Sequence, residues 1–267
     1  MDGRSEALVL VAECAEGRGF GTEAYGTDQL LLAVDVPHVD GVLLPYRIIV
    51  GTRGTQLVVK EDPTSPALPQ FCPERHIIGG GEFCMYWDRD LSFTVIDAES
   101  AARWMGLLLN FLRLQRRAAT QRFWPNSETW AHGVSAAVRQ RQAEQAAAKL
   151  GTPLKIALAE RRLRVTEEVR NTFRVHQGGR LLFSAWRSPN RRNRRGEPLP
   201  CAVEARGSKR TSTHGSRAEL LYELGRALFL WQEKEQAFWD CHRNMVCCGT
   251  IDNCPLRVCE GDDVNEA

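Results

Sequence analysis

Four apolar runs of strand length fall within the first sixty residues, at 8–12 (Leu-Val-Leu-Val-Ala), 30–34 (Leu-Leu-Leu-Ala-Val), 46–50 (Tyr-Arg-Ile-Ile-Val) and 56–59 (Gln-Leu-Val-Val). Glycine- and proline-bearing connectors separate them: Gly17 to Gly21, Pro37 to Gly41, and Gly51 to Gly54. Parallel neighbours need crossover connections of about a dozen residues or more, usually helical. These connectors leave no space for such helices, so the pattern predicts an antiparallel meander.

Composition narrows the class. The 267 residues are 43% hydrophobic and 25% charged, enough apolar material for a core. That excludes a largely disordered, collagen-like or coiled-coil chain. No stretch approaches the ~18 consecutive apolar residues of a membrane-spanning helix, and no basic segment followed by an apolar run marks a secretory leader. The expectation is a cytoplasmic protein without membrane contact. In a reducing compartment its nine cysteines read as metal ligands, buried thiols or nucleophiles before they read as disulfides. The formal net charge of +2 conceals blocks: residues 1–100 carry 7 basic and 16 acidic residues, 101–217 carry 24 and 7, and 218–267 carry 4 and 10. Different partners meet different fields along such a chain.

Residues 61–90 are punctuated by Pro63, Pro66, Pro69 and Pro73, then by Gly79, Gly80 and Gly81. A long irregular segment inside a compact domain is usually functional or disordered. This one holds Phe71, Phe83, Tyr86 and Trp87, too apolar a set for a linker. Asp97 then caps a helix whose apolar face is Trp104, Leu107, Leu108, Phe111, Leu112 and Gln115, ended by Trp124-Pro125. A second helix runs from about 134 to 150, where Gly151 and Pro153 stop it, and the domain boundary is placed there: 1–150 and 151–267. Beyond it, residues 155–159, 172–177 and 180–186 read as strands. Ser216 with Glu219 reads as a capping box, opening a helix with Leu220, Leu221, Leu224, Leu228 and Trp231 on one face.

A thiol becomes a useful nucleophile when it is exposed, reachable and surrounded by groups that favour the thiolate. Cys84 follows the Gly79–81 turn, which lets another chain approach closely, and His76 lies eight residues upstream, where the loop can return it toward the sulfur. The same residues also allow Cys84 to pack as a small hydrophobe between Phe83 and Trp87. Cys72, in the same loop, is the rival: a redox partner of Cys84 or the nucleophile itself. Pro73 follows it and no glycine precedes it, which favours Cys84.

The stretch from Pro63 through Pro73-Glu-Arg-His76-Ile-Ile-Gly-Gly-Gly81-Glu-Phe83-Cys84 resembles the active-site region of ubiquitin-conjugating enzymes. That family has a proline-rich turn, a His-Pro-Asn tripeptide and Gly-x-(Ile/Val)-Cys. Gly81 and Cys84 match the last signature, with Phe83 in place of the aliphatic residue. Glu74 and Arg75 stand at the His and Pro positions, and His76 at the asparagine. With Trp104, Trp124-Pro125, Trp130 and His132-Gly133, the text is similar to bacterial members of the family, encoded beside a ubiquitin-like protein, an adenylating activating enzyme and a deconjugating peptidase. The resemblance covers roughly residues 5–150 and implies an α+β ubiquitin-conjugating-like domain. It further implies that Cys84 accepts a ubiquitin-like protein from the activating enzyme as a thioester and passes it to an amine on a target protein, without a catalytic cofactor. For His76 three roles stay open: oxyanion donor, base for the incoming lysine, or a brace for the loop through backbone bonds. Asp88 and Asp90 follow the cysteine, and Asp88 is a candidate to orient or deprotonate that lysine.

Cys241, His242, Cys247, Cys248, Cys254 and Cys259 crowd the end of the chain. Cys241, Cys247, Cys254 and Cys259 are a candidate set for a structural zinc, although no Cys-x2-Cys pair is present. The second domain is therefore read as a small basic α+β unit with a cysteine-rich tail. The five arginines at 187–195 read as a solvated loop or a protein-docking surface, with too few stacking aromatics to favour nucleic acid. Two functions follow: a thioester-carrying transferase in a bacterial antiphage conjugation system, or a non-catalytic, zinc-stabilised adaptor for a ubiquitin-like protein or nucleic acid.

Overall fold

Alternating apolar residues build the larger sheet. In the computed structural model, which describes residues 5–38, 41–86, 94–125, 131–168, 172–186 and 214–257, strands β1 (Gly21–Ala24), β2 (Gln29–Pro37), β3 (Leu43–Arg53) and β4 (Gln56–Glu61) form an antiparallel meander. Two short strands, β5 (Ile77–Ile78) and β6 (Glu82–Phe83), extend it to the order β1-β2-β3-β4-β6-β5. Leu30, Leu32, Val34 and Val36 of β2 share one face with Tyr46, Ile48 and Val50 of β3 and Leu57 and Val59 of β4, as the two-residue period requires. Helices α1 (Glu6–Glu16) and α2 (Ala98–Gln121) contribute Leu8, Val11 and Ala15, and Trp104, Met105, Leu108, Phe111 and Leu112, to the same core.

Residues 8–12 are thus helical, not a strand. Their unbroken apolar run hides the spacing that matters, because Leu8, Val11 and Ala15 recur at helical intervals and are the buried residues of α1. The first strand is β1, an edge strand of mostly exposed residues with no apolar run to mark it. Asp97 caps α2 as expected: Ser100 N–H donates to its carboxylate at 2.7 Å, and the Ser100 hydroxyl receives the Asp97 N–H at 3.0 Å.

The chain divides into two compact units, residues 1–126 with 244–267, and residues 127–243. The boundary expected after Leu150 lies inside the second unit, because α3 (Gly133–Leu150) packs on the last helix, α5 (His214–His242). The tail beyond Arg243 belongs to the first unit. Within the second unit, α4 (Thr152–Ala159) replaces the expected strand at 155–159. Pro153, read as a stop, instead sits in the first turn of that helix, where its missing N–H costs nothing. An antiparallel sheet of β7 (Leu163–Glu168), β8 (Thr172–Gln177) and β9 (Arg180–Trp186) lies against α5. At Gly225 a Cβ would stand 2.4 Å from Phe173 Cε2, so only glycine allows the helix this close. α5 begins at His214, so Ser216 lies within the helix and not at its start. Among the described residues no helix is long and apolar enough to cross a membrane.

The proline-rich segment is held at its start by two adjacent acids. The Glu61 carboxylate accepts the N–H groups of Ala67 (3.0 Å) and Leu68 (2.8 Å). Asp62 accepts from Thr64 N–H at 3.0 Å, from the Thr64 hydroxyl at 2.8 Å and from Arg47 Nε at 2.9 Å. Burial pushes the Glu61 carboxyl above its ordinary range, while the Thr64 amide, joined by Arg47, holds Asp62 below its own. The ionised form of Asp62 therefore stabilises the fold, fully above the unfolded value of about 3.9, and that stability is lost as pH falls through the lower folded value. Asp62→Asn is expected to lower the urea midpoint at neutral pH, and the gap to the parent protein should close progressively below about pH 4.

Candidate functional site

The hairpin of β5 and β6 makes the site. Ile77 pairs with Phe83 and Ile78 with Glu82, and β6 joins the meander through Lys60. Gly80 and Gly81 close the turn at φ 78° and 77°, a left-handed conformation that glycine enters without a Cβ penalty. The ladder runs one step further: the Cys84 N–H donates to the His76 carbonyl at 2.8 Å. The loop thus returns His76 to Cys84 through the backbone. Cys84 itself is exposed.

His76 carries an unusual backbone. Its φ and ψ of 56° and 35° are left-handed, and its own N–H bonds the Pro73 carbonyl at 2.7 Å, closing a helical turn over Pro73–Arg75. Its side chain is buried, at 7% exposure, with the ring centroid 5.0 Å from that of Trp124. Trp124 neighbours Phe111, which stacks on Phe83 of the hairpin at 4.8 Å. The turn before Cys84 therefore rests on α2 through a line of aromatic rings.

Arg75 fixes the turn to the rest of the unit. It is 3% exposed, and Gln115 opposite it on α2 is fully buried. Arg75 Nε donates to Gln115 Oε1 at 2.8 Å, its second amino group donates to the Gln115 carbonyl at 3.0 Å, and Gln115 Nε2 returns a bond of 2.6 Å to the Arg75 carbonyl. The remaining amino group donates to Thr250 Oγ1 of the tail at 3.1 Å. Burial lowers the guanidinium pKa, and Cys72, Cys248, Tyr46 and Glu61 act against that. The tail is also tied to the end of α2. Arg122 Nε meets Asp252 at 2.5 Å, and the Asp252 N–H donates to the Arg122 carbonyl at 2.9 Å.

Cys72 lies on the inside of this turn, 1% exposed, with its sulfur 2.8 Å from that of Cys248. Cys248 also contacts Thr250 Oγ1 at 3.0 Å. The Thr250 hydroxyl, which also takes the Arg75 donor, stands on the side of Cys248. The hydrogen bond to Cys72 lowers Cys248 to about 5 and, with burial, pushes Cys72 far above its ordinary range. Cys72 is thus a poor nucleophile toward anything in solution.

The four cysteines of the expected metal set fall in different parts of the chain. Cys241 ends α5 in the second unit, Cys247 and Cys254 lie in the first, and Cys259 falls outside the described residues. Cys254, buried and pushed up to about 12 by that burial, is hydrogen-bonded to Cys247. Among the described residues no three His, Cys, Asp or Glu side chains are grouped to hold a metal ion. Asp88, Asp90, Cys201 and the arginine loop at 187–195 also lie outside the described residues. The sequence did not mark Arg75 as part of the site, and it offered Cys248 only as one of six possible ligands in the tail. The signal for Arg75 was Gln115, a polar residue at the helical spacing of the apolar face.

A meander, a cysteine-bearing hairpin at its edge and a following helix that braces it describe a conjugating-enzyme domain. Residues 22–126 match the family model of the prokaryotic E2 domain, and residues 131–256 match that of the cysteine-rich domain C-terminal to the E2 domain. The chain belongs to this bacterial E2-like family, whose E2 domains generally work with ubiquitin-like proteins and their activating enzymes. No curated protein and no solved structure is significantly similar to it.

Gln115→Leu removes one acceptor from a buried cation and the donor that meets the Arg75 carbonyl, and should cost about 2–4 kcal/mol, read as a fall in the urea midpoint. Adding Arg75→Met to that variant should recover part of the loss, since the unpaired charge goes with it.

Proposed function

We propose that the chain carries a ubiquitin-like protein as a thioester on Cys84 and passes it to an amine of a target protein. The observation that carries this reading is that Cys84 is the exposed thiol of the hairpin, with its amide pinned by His76, inside a prokaryotic E2 domain. In the first step the Cys84 thiolate attacks the acyl carbon held by an adenylating activating enzyme, and the carrier group of that enzyme leaves. In the second an amine attacks the same carbon, the C–S bond breaks, and Cys84 leaves as thiolate while the amine loses its proton to solvent or a base. A thioester has a good leaving group, so the protein need supply chiefly positioning and oxyanion support, without metal or cofactor. The family resemblance supports a place in a bacterial antiphage conjugation system.

His76 is read as a positioning residue. Its ring is buried against Trp124 and its carbonyl holds the Cys84 amide, so it acts through the backbone. Asp88 is retained as the group that orients the incoming amine.

With activating enzyme, ATP and the ubiquitin-like protein, a reducible adduct should form on a non-reducing gel. Cys84→Ala should lose it, Cys84→Ser should give an adduct that resists thiol, and Cys72→Ala should keep it. No adduct with retained binding would favour a non-catalytic adaptor instead. Loss of the adduct in Cys72→Ala alone would overturn the assignment of the nucleophile. For His76, the left-handed backbone predicts that His76→Gly and His76→Asn discharge the thioester to free lysine within about threefold of the parent. His76→Val should fall about tenfold or more, since a β-branched residue resists that conformation by about 1–2 kcal/mol. A pH–rate limb near 6.5 that vanishes in His76→Gly would show a base instead of a brace.

A further inference from the structure

The tail reaches into the turn that positions the candidate active cysteine, and it does so with a second thiol pair. Cys248 and Cys72 stand sulfur to sulfur at 2.8 Å, about 0.8 Å beyond a disulfide bond. They are not equivalent. Cys248 is half-buried and reachable from solvent, whereas Cys72 is 1% exposed behind it. The Thr250 hydroxyl at 3.0 Å and the buried guanidinium of Arg75, which bonds that hydroxyl, stand on the side of Cys248. This is the layout of an attacking thiol in front and a resolving thiol behind.

We propose that Cys248 and Cys72 form a redox-active dithiol, Cys248 reacting with hydroperoxides and Cys72 resolving the product to a disulfide. In the first step the Cys248 thiolate attacks one oxygen of hydrogen peroxide, the O–O bond breaks, hydroxide leaves, and the sulfur is oxidised by two electrons to a sulfenic acid. In the second the Cys72 sulfur attacks the Cys248 sulfur, the S–O bond breaks, and the hydroxyl leaves as water with the Cys72 proton. One thiolate, one thiol and one hydrogen peroxide thus give one disulfide, one water and one hydroxide. The two sulfurs already stand 2.8 Å apart, so the second step needs little movement.

The disulfide covalently joins two segments that, among the described residues, meet through side chains in the reduced protein. One is the tail from Asn244, and the other is the turn of Cys72, Arg75 and His76. The proposal does not depend on the transfer reaction at Cys84, and its test needs neither the activating enzyme nor the ubiquitin-like protein.

The full chain is treated with one equivalent of hydrogen peroxide, its remaining thiols are blocked with N-ethylmaleimide, and its non-reduced peptides are mapped by mass spectrometry. The expected result is a dithiothreitol-reversible link between the Cys72 and Cys248 peptides as the main cross-link, accompanied by a higher urea midpoint. Cys72→Ser should leave Cys248 as a sulfenic acid trapped by dimedone, and Cys248→Ser should leave Cys72 unoxidised. Cross-links joining Cys247 to Cys254 or Cys72 to Cys84 in place of this one would overturn the proposal. So would a stoichiometric zinc in the isolated protein that both serine variants release. The mapping of the parent protein decides the matter even where a variant fails to fold.

Discussion

A buried arginine sets the terms for everything around the candidate site. Arg75 cannot shed its proton within the range where proteins fold, so each of its donors must be met inside the unit. Gln115 meets two of them and returns a third bond to the Arg75 carbonyl, while Thr250 of the tail takes another. Three separate stretches of chain are thereby held at one point: the turn after Cys72, the middle of α2 and the segment beyond Asn244. The next residue, His76, bends into the left-handed region and presents its carbonyl to Cys84. The place of the exposed thiol is thus inherited from a charge that lies out of reach of solvent.

The parts of this fold that could be read directly from the residues are those where one face is buried and the pattern is clean. β2, β3 and β4 alternate, α2 begins at a capping aspartate, and β8 and β9 coincide with the runs at 172–177 and 180–186. The failures have physical causes. Residues 8–12 are apolar at every position, so a helix and a buried strand look alike there. Pro153 marks the end of one helix and the start of the next with the same residue, since proline is excluded from helix interiors but welcome in the first turn. β7 carries Arg164 between Leu163 and Val165 and ends on Glu167 and Glu168, an edge strand too charged to stand out.

The candidate site was legible in its outline and not in its wiring. Glycine-glycine-glycine before a cysteine already implied a tight turn, and two of the three glycines do take positive φ. That His76 should serve through its carbonyl could not be read, because nothing in a histidine's neighbours announces a left-handed backbone. The pairing of Cys72 with Cys248 was further out of reach, being a contact across 176 positions. A long-range contact between two thiols leaves no local pattern.

Two cysteines of one loop, twelve positions apart, end with opposite properties, and position in the fold accounts for both. Cys84 continues the edge of the sheet and is exposed. Cys72 pairs with Ile77 on the inner side of the turn and is sealed by the tail. The same tail brings Cys248 close to the guanidinium of Arg75 through Thr250, and that charge favours a thiolate there. The cation and the thiolate stabilise each other, which links the brace of the active turn to the oxidation state of a sulfur. Formation of the disulfide would remove that anion and put a covalent bond in its place. The turn would then be held by connectivity where before it was held by charge.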